Sequence, residues 1–223
     1  MTQKSKRVVL FVNGDLPAPG QVRSLLTDDD VLIAVDGGLR HLESLGLIPN
    51  LIIGDLDSVD QAKIQAYRTQ GVEVHTYPAD KDETDLELAL DAACDLDPET
   101  IWVVAALGKR LDQTLANIFL LTRPELADRD IHLFDGHTDV FLIRESGIIH
   151  GEIDQRVSLL PLNGPAEGIH TQGLEYPLAN ETLNPDKTRG ISNKMMSPTA
   201  TVRLRHGLLL CIREATKIKE RRG

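Results

Sequence analysis

The sequence predicts an α/β N-terminal domain with a mostly parallel, Rossmann-like sheet, followed by a C-terminal all-β sandwich domain. Three observations carry this expectation. The first half alternates uninterrupted apolar runs with helical patterns, as parallel strands covered on both faces require. Acidic residues follow those runs or open the helices after them: Asp36, Asp55, Asp57, Asp82, Asp85 and Asp112. Beyond about residue 138 the helical period disappears, and short strand-like runs separated by turn residues replace it. The expected domains are therefore residues 1–138 and 139–223.

The elements follow in order. Val8–Val12 reads as a buried strand, broken by Asn13-Gly14-Asp15, and Val31–Val35 as a second, ending at Asp36-Gly37-Gly38. A helix then places Leu39, Leu42 and Leu45 on one face and stops at Gly46. Leu51–Ile53 is a third strand. Ser58 with Gln61 has the spacing of a capping box for a helix ending near Gly71. Val72–Tyr77 is a fourth strand, and Thr84 with Glu87 forms a second capping box for a helix with Leu86, Leu90 and Ala93 inward. Ile101–Leu107, a helix over Leu111–Leu121 and the strand Ile131–Phe134 complete the first domain. The second is expected to contain strands at Val140–Ile143, Gly147–His150, Val157–Leu160, Gly168–Thr171, Thr199–Arg205 and Leu208–Ile212, with His206-Gly207 as a hairpin turn. Lys217–Arg222 reads as a solvated basic tail.

Composition narrows the partners. The 223 residues carry a formal charge of −10, which argues against a nucleic-acid backbone as main partner. It leaves anionic small molecules open, because metals and local Lys or Arg can invert the field in a cleft. No apolar run is long enough to span a membrane. Two cysteines without CxxC spacing fit a reducing compartment, so a cytoplasmic location is expected. No histidine pair has metal-ligand spacing, and no nucleophile-elbow or Walker A pattern occurs.

Four motifs carry the chemistry. Asp36-Gly37-Gly38 after a strand permits close backbone approach to a phosphate or ribose. Gly54-Asp55-Leu56-Asp57-Ser58 places two carboxylates two residues apart, where their repulsion asks for a cation. In Asp80-Lys81-Asp82-Glu83-Thr84-Asp85, capping accounts for Thr84 and Asp85 but not for Asp80 or Asp82. Lys109-Arg110-Leu111-Asp112 offers two cations for phosphate and an acid opening a helix. In an open parallel sheet all four loops should emerge at the carboxyl edge, where ligands bind. The acids alone also allow a metal-dependent phosphohydrolase, whereas the complete acid set with Arg110 disfavours a third reading, a ligand-binding module without catalysis.

In this order the motifs resemble those of the thiamine pyrophosphokinase family. The resemblance continues through Val157–Leu162, Gly168–Leu178 and Ser192-Asn193. It implies transfer of a pyrophosphoryl group from ATP to the hydroxyl of thiamine, with release of AMP, by a homodimer whose active sites lie between subunits. It further implies that Asp55, Asp57 and Asp85 hold Mg²⁺ and position the triphosphate. Arg110 and Asp112 would complete the phosphate and metal site. Asp36, Gly37, Gly38, Lys81, Asp82 and Lys109 would line the ATP cleft, and Ser192 and Asn193 would lie near thiamine. Eukaryotic members of the family place a Trp near the last strand. Here Leu208–Leu210 occupies that stretch, and Tyr176 is the aromatic candidate for thiamine.

Overall fold

A computed structural model of the chain describes residues 7–57 and 59–215. The chain divides into two compact units, Met1–Gly136 and His137–Gly223.

The first unit contains strands β1 (Arg7–Phe11), β2 (Val31–Val35), β3 (Leu51–Gly54), β4 (Glu73–Thr76), β5 (Thr100–Val104) and β6 (Asp130–Phe134). Their order across the sheet is β4-β3-β2-β1-β5-β6, and every pairing is parallel. Four residues in each of β1, β2 and β3 are buried. That is why these runs read as continuous apolar stretches without alternation. β4, at the sheet edge, has no fully buried residue.

The helices are α1 (Pro19–Leu25), α2 (Leu39–Ser44), α3 (Gln61–Thr69), α4 (Asp85–Asp95) and α5 (Leu111–Leu120). α1 was not among the expected elements. It spans seven residues and buries only Val22, so it has no periodicity to detect; Pro at its start sets the entry angle. α2 stops where Gly46 adopts φ +66°. The expected Ser58 cap on α3 is corrected: Asp60 is the N-cap, accepting from the Ala62 amide at 2.9 Å. Ser58 lies outside the described residues. On α4 the expected cap is present, with Thr84 Oγ1 accepting from the Glu87 amide at 3.2 Å. Thr84→Ala should therefore cost about 1 kcal/mol in urea denaturation, the usual loss for an N-cap hydroxyl. β5 ends three residues earlier than expected, because Ala105 takes φ +62° and turns the chain out of the sheet.

The second unit contains β7 (Thr138–Ile143), β8 (Ser146–His150), β9 (Arg156–Pro161), β10 (Ala166–Gln172), β11 (Ala179–Leu183), β12 (Asn193–Lys194), β13 (Thr199–Arg203) and β14 (Leu209–Glu214). They form two antiparallel layers, β12-β9-β14-β7 and β11-β10-β13-β8. Phe141, Ile143, Val157, Leu159 and Leu209 of one layer share a buried cluster with Ile149, Ile169, Ala200 and Val202 of the other. His206-Gly207 does not close a hairpin as expected. β13 pairs with β8 and β10, whereas β14 pairs with β7 and β9, so this turn carries the chain from one layer to the other. β11 and β12 escaped the sequence reading because one is mostly polar and the other spans two residues. The tail Lys217–Arg222 lies outside the described residues. Among the described residues no helix is long and apolar enough to cross a membrane.

Candidate active site

Strand order locates the site. Chain direction across the first sheet reverses at β1, whose neighbours are β2 and β5. At such a switch point the loops leaving adjacent strands diverge and open a crevice at the carboxyl edge. A cleft of about 430 Å³ lies there. Its walls include Asn13, Gly14 and Asp15 after β1, Asp36 after β2, residues 105–110 after β5, and Thr84 and Asp85 at the start of α4.

Four of the expected site residues line this cleft: Asp36, Asp85, Lys109 and Arg110. Asp36 adopts φ +49°, uncommon for a residue with a side chain. A Cβ on Gly54 would stand 3.0 Å from Asp36 Cα, so the ends of β2 and β3 are pressed together there. Gly37 and Gly38 do not line the cleft but permit its packing. A Cβ on Gly38 would stand 1.8 Å from the Phe11 carbonyl oxygen, and one on Gly37 2.5 Å from the Asn13 amide group.

The Asp55–Asp57 loop is organised by its middle residue. Leu56 is 2% exposed at φ +56°, anchoring the turn, while Asp57 is exposed. Asp55 Oδ1 accepts from the Asp57 amide at 3.0 Å. Lys81 Nζ donates to Asp85 Oδ1 at 2.9 Å and to the Pro78 carbonyl at 3.1 Å, so this cation and this acid are already paired. Asp82 is exposed. Arg110 pairs in a fork with Asp112, at 3.1 and 2.5 Å. Hydrogen bonding to Arg110 holds the Asp112 carboxyl below the ordinary carboxylate range, and the same bond raises Arg110. Among the described residues no three Asp, Glu, His or Cys side chains gather into a group that could hold a metal ion. Asp55, Asp57 and Asp85 thus form no ready-made cage.

In the second unit, Asn193 has a structural task. Its Oδ1 accepts from the Tyr176 amide at 3.0 Å and the Lys194 amide at 2.9 Å, and its Nδ2 donates to the Tyr176 carbonyl at 2.8 Å. Ser192 is exposed at φ +56°, with its amide donating to Ser158 Oγ at 3.0 Å. Tyr176 is 64% exposed.

Sequence reasoning missed Asn13, Gly14, Asp15, Thr114 and Asn117, which also line the cleft. Asn117 Nδ2 donates to the Ala106 carbonyl at 2.8 Å, fixing the loop after β5. Asn13-Gly14-Asp15 read only as a strand break. Its place beside β5 follows from the strand order, which no local pattern encodes.

Fold and cleft together define the class: an α/β domain with a parallel sheet and a strand-end cleft at its switch point, followed by a two-layer β domain. The family profile described as the thiamin pyrophosphokinase catalytic domain matches residues 22–134, and that of the vitamin B1 binding domain of the same enzymes matches 147–209. The chain is 33% identical over 190 residues to thiamine pyrophosphokinase of Bacillus subtilis, covering 84% of this chain and 89% of the relative. A crystal structure of thiamine pyrophosphokinase from Bacillus subtilis superimposes with a TM-score of 0.83 at 26% identity, over 95% of this chain and all of that one. A thiamin pyrophosphokinase family protein from Enterococcus faecalis gives 0.80 at 25% identity, with coverages of 95% and 100%. The chain belongs to the thiamine pyrophosphokinase family and is accordingly an enzyme.

Proposed function

We propose that this enzyme transfers a pyrophosphoryl group from ATP to the hydroxyl of thiamine, giving thiamine diphosphate and AMP. The observation that carries the reading is the cleft at the β1/β5 switch point, which brings Lys109 and Arg110 together with Asp36 and Asp85. In the reaction the hydroxyl oxygen bonds to the β-phosphorus, the bond from that phosphorus to the α,β-bridging oxygen breaks, and the hydroxyl proton is released. The transferred group carries dispersed negative charge, so the protein's contribution is positioning and charge stabilisation.

The donor set suits Mg²⁺, which takes a few carboxylates and fills its other positions with phosphate oxygens and water. Asp55, Asp57 and Asp85 would hold it, and it would neutralise charge along the triphosphate. In holding it, Asp85 would give up its Lys81 partner, which would leave Lys81 to bind the phosphates. Lys109 and Arg110 bind phosphate oxygens, with Asp112 fixing the Arg110 fork. Asp36 and Asp82 complete the ATP site, and Gly37 and Gly38 keep its floor close to β1. Ser192 contacts thiamine. Asn193 shapes the same surface by clamping Tyr176, whose exposed ring is the aromatic candidate to face it.

The reading includes a homodimer with active sites between subunits. Leu111, Leu115 and Phe119, spaced four apart along α5, are 67%, 45% and 50% exposed, which supports a covered face in an assembly. Light scattering should give twice the chain mass of 24.6 kDa. It also includes a cytoplasmic location, supported by Cys94 and Cys211 both being free thiols. The deciding experiment incubates purified protein with ATP, Mg²⁺ and thiamine, and follows AMP and thiamine diphosphate. Equal amounts of both support the proposal. Phosphate release independent of thiamine would indicate a hydrolase instead, and no product would refute catalysis of this transfer.

A further inference from the structure

The loop after β1 has an unusual distribution of hydrogen bonds. Arg40 Nη2 donates to the Asn13 carbonyl at 3.0 Å and to the Gly14 carbonyl at 2.8 Å. His41 Nε2 lies 2.9 Å from the same Gly14 carbonyl. A carbonyl only accepts, so the proton is on Nε2. Burial lowers the His41 pKa from its ordinary value, which favours the neutral ring. Two consecutive side chains of α2 thus occupy the Asn13 and Gly14 carbonyls, two of the three in the loop.

The opposite side of the loop is equally constrained. The Val12 amide donates to the Val104 carbonyl at 2.9 Å, and a Cβ on Gly14 would stand 2.1 Å from the Ala105 carbonyl oxygen. The loop is wedged between α2 and the end of β5. Its amides are treated differently from its carbonyls. Asn13, Gly14 and Asp15 all line the cleft, and among the described residues their backbone N–H groups donate to no acceptor. In the loop after β5, Asn117 takes the Ala106 carbonyl, but the Ala105 and Gly108 amides are used, donating to the Phe134 carbonyl and to Thr114 Oγ1. At the loop after β1, therefore, the Asn13 and Gly14 carbonyls are occupied by side chains while the amides of Asn13, Gly14 and Asp15 are left over. Such a surface favours an anion despite the acidic chain. The Asp15 carboxylate opposes it, but Lys109 Nζ lies 3.8 Å from that carboxylate.

We propose that Arg40 and His41 are positioning residues for the phosphoryl donor: by holding the Asn13 and Gly14 carbonyls, they leave the amides of the Asn13–Asp15 loop for the oxygens of its polyphosphate chain. This deepens the ATP reading above and rests on it. Neither residue touches substrate.

The test uses the full chain with Arg40→Ala, His41→Leu and the double variant, beside Arg40→Lys and His41→Gln, which keep a donor. Calorimetry measures binding of ATP with Mg²⁺, of inorganic tripolyphosphate with Mg²⁺, and of adenosine. Circular dichroism confirms folding. The alanine and leucine variants should bind ATP and tripolyphosphate about five- to tenfold more weakly, as expected for a lost loop-fixing hydrogen bond, with adenosine unchanged. His41→Gln should recover most of the loss. In turnover, KM for ATP should rise while KM for thiamine holds. A folded double variant with wild-type tripolyphosphate affinity would overturn the proposal, as would equal weakening toward adenosine. Should the double variant fail to fold, the single variants decide by the same criteria. Binding is read without turnover, so failure of wild-type catalysis would refute the transfer reaction and leave the role of the loop to be decided separately.

Discussion

Asp57→Asn should lower kcat for thiamine diphosphate formation by about 10²- to 10³-fold, the scale on which loss of one charge-stabilising group acts. The substitution keeps volume and removes only the charge. Asp57 is exposed, so stability should stay within about 0.5 kcal/mol of the parent. Asp55→Asn is the paired test. An amide oxygen at that position still accepts from the Asp57 amide, so the turn is preserved while the second charge is lost. Both variants should unfold at the parental urea midpoint and turn over slowly at saturating Mg²⁺. A fully active Asp57→Asn enzyme would remove that residue from the proposed metal set.

Gly38→Ala should destabilise the first unit by about 3 kcal/mol or more, or prevent folding. The cause is space and not backbone conformation. Gly38 has φ −61° and ψ −19°, which alanine adopts freely. The added Cβ, however, would stand 1.8 Å from the Phe11 carbonyl oxygen and 2.5 Å from its carbon. These are backbone atoms of β1, an interior strand paired on both sides, and they cannot give way without shifting the sheet. Gly20→Ala in α1 is the control. Nothing lies within 4 Å of its Cβ, and alanine is the better helix former there. Urea denaturation of the two variants should move in opposite directions. Equal midpoints for Gly38→Ala and the parent would refute the close approach.

Legibility differed by element for physical reasons. Val31–Val35 is the same strand in the sequence reading and the structure, because burial on both faces leaves no polar residue inside it. Thr84 capped its helix as its spacing with Glu87 indicated, since a cap is a contact within one turn. Ser58 and Asp60 both suit the start of α3, and the choice between them depends on how the chain leaves the Asp55–Asp57 turn. The hairpin expected at His206-Gly207 failed for a different reason. A turn signal states that the chain reverses, not which sheet receives the next strand. Asn193 shows the same limit. Its motif marks it, but only the fold reveals that its amide is spent on the backbone of Tyr176, seventeen residues away.

By itself the sequence determined the two-domain class, the apolar strands, most helix starts and the four acidic or basic loops. Its ordered motifs pointed to the family that the comparisons then established. Those signals are local, written in residues close together along the chain. Tertiary structure decided the strand order β4-β3-β2-β1-β5-β6, and with it which loops share the cleft. It brought Asn13–Asp15 beside residues 105–110 and separated Asp55 and Asp57 from the cleft lining. Strand order follows from burial summed over the whole sheet, so no short motif carries it.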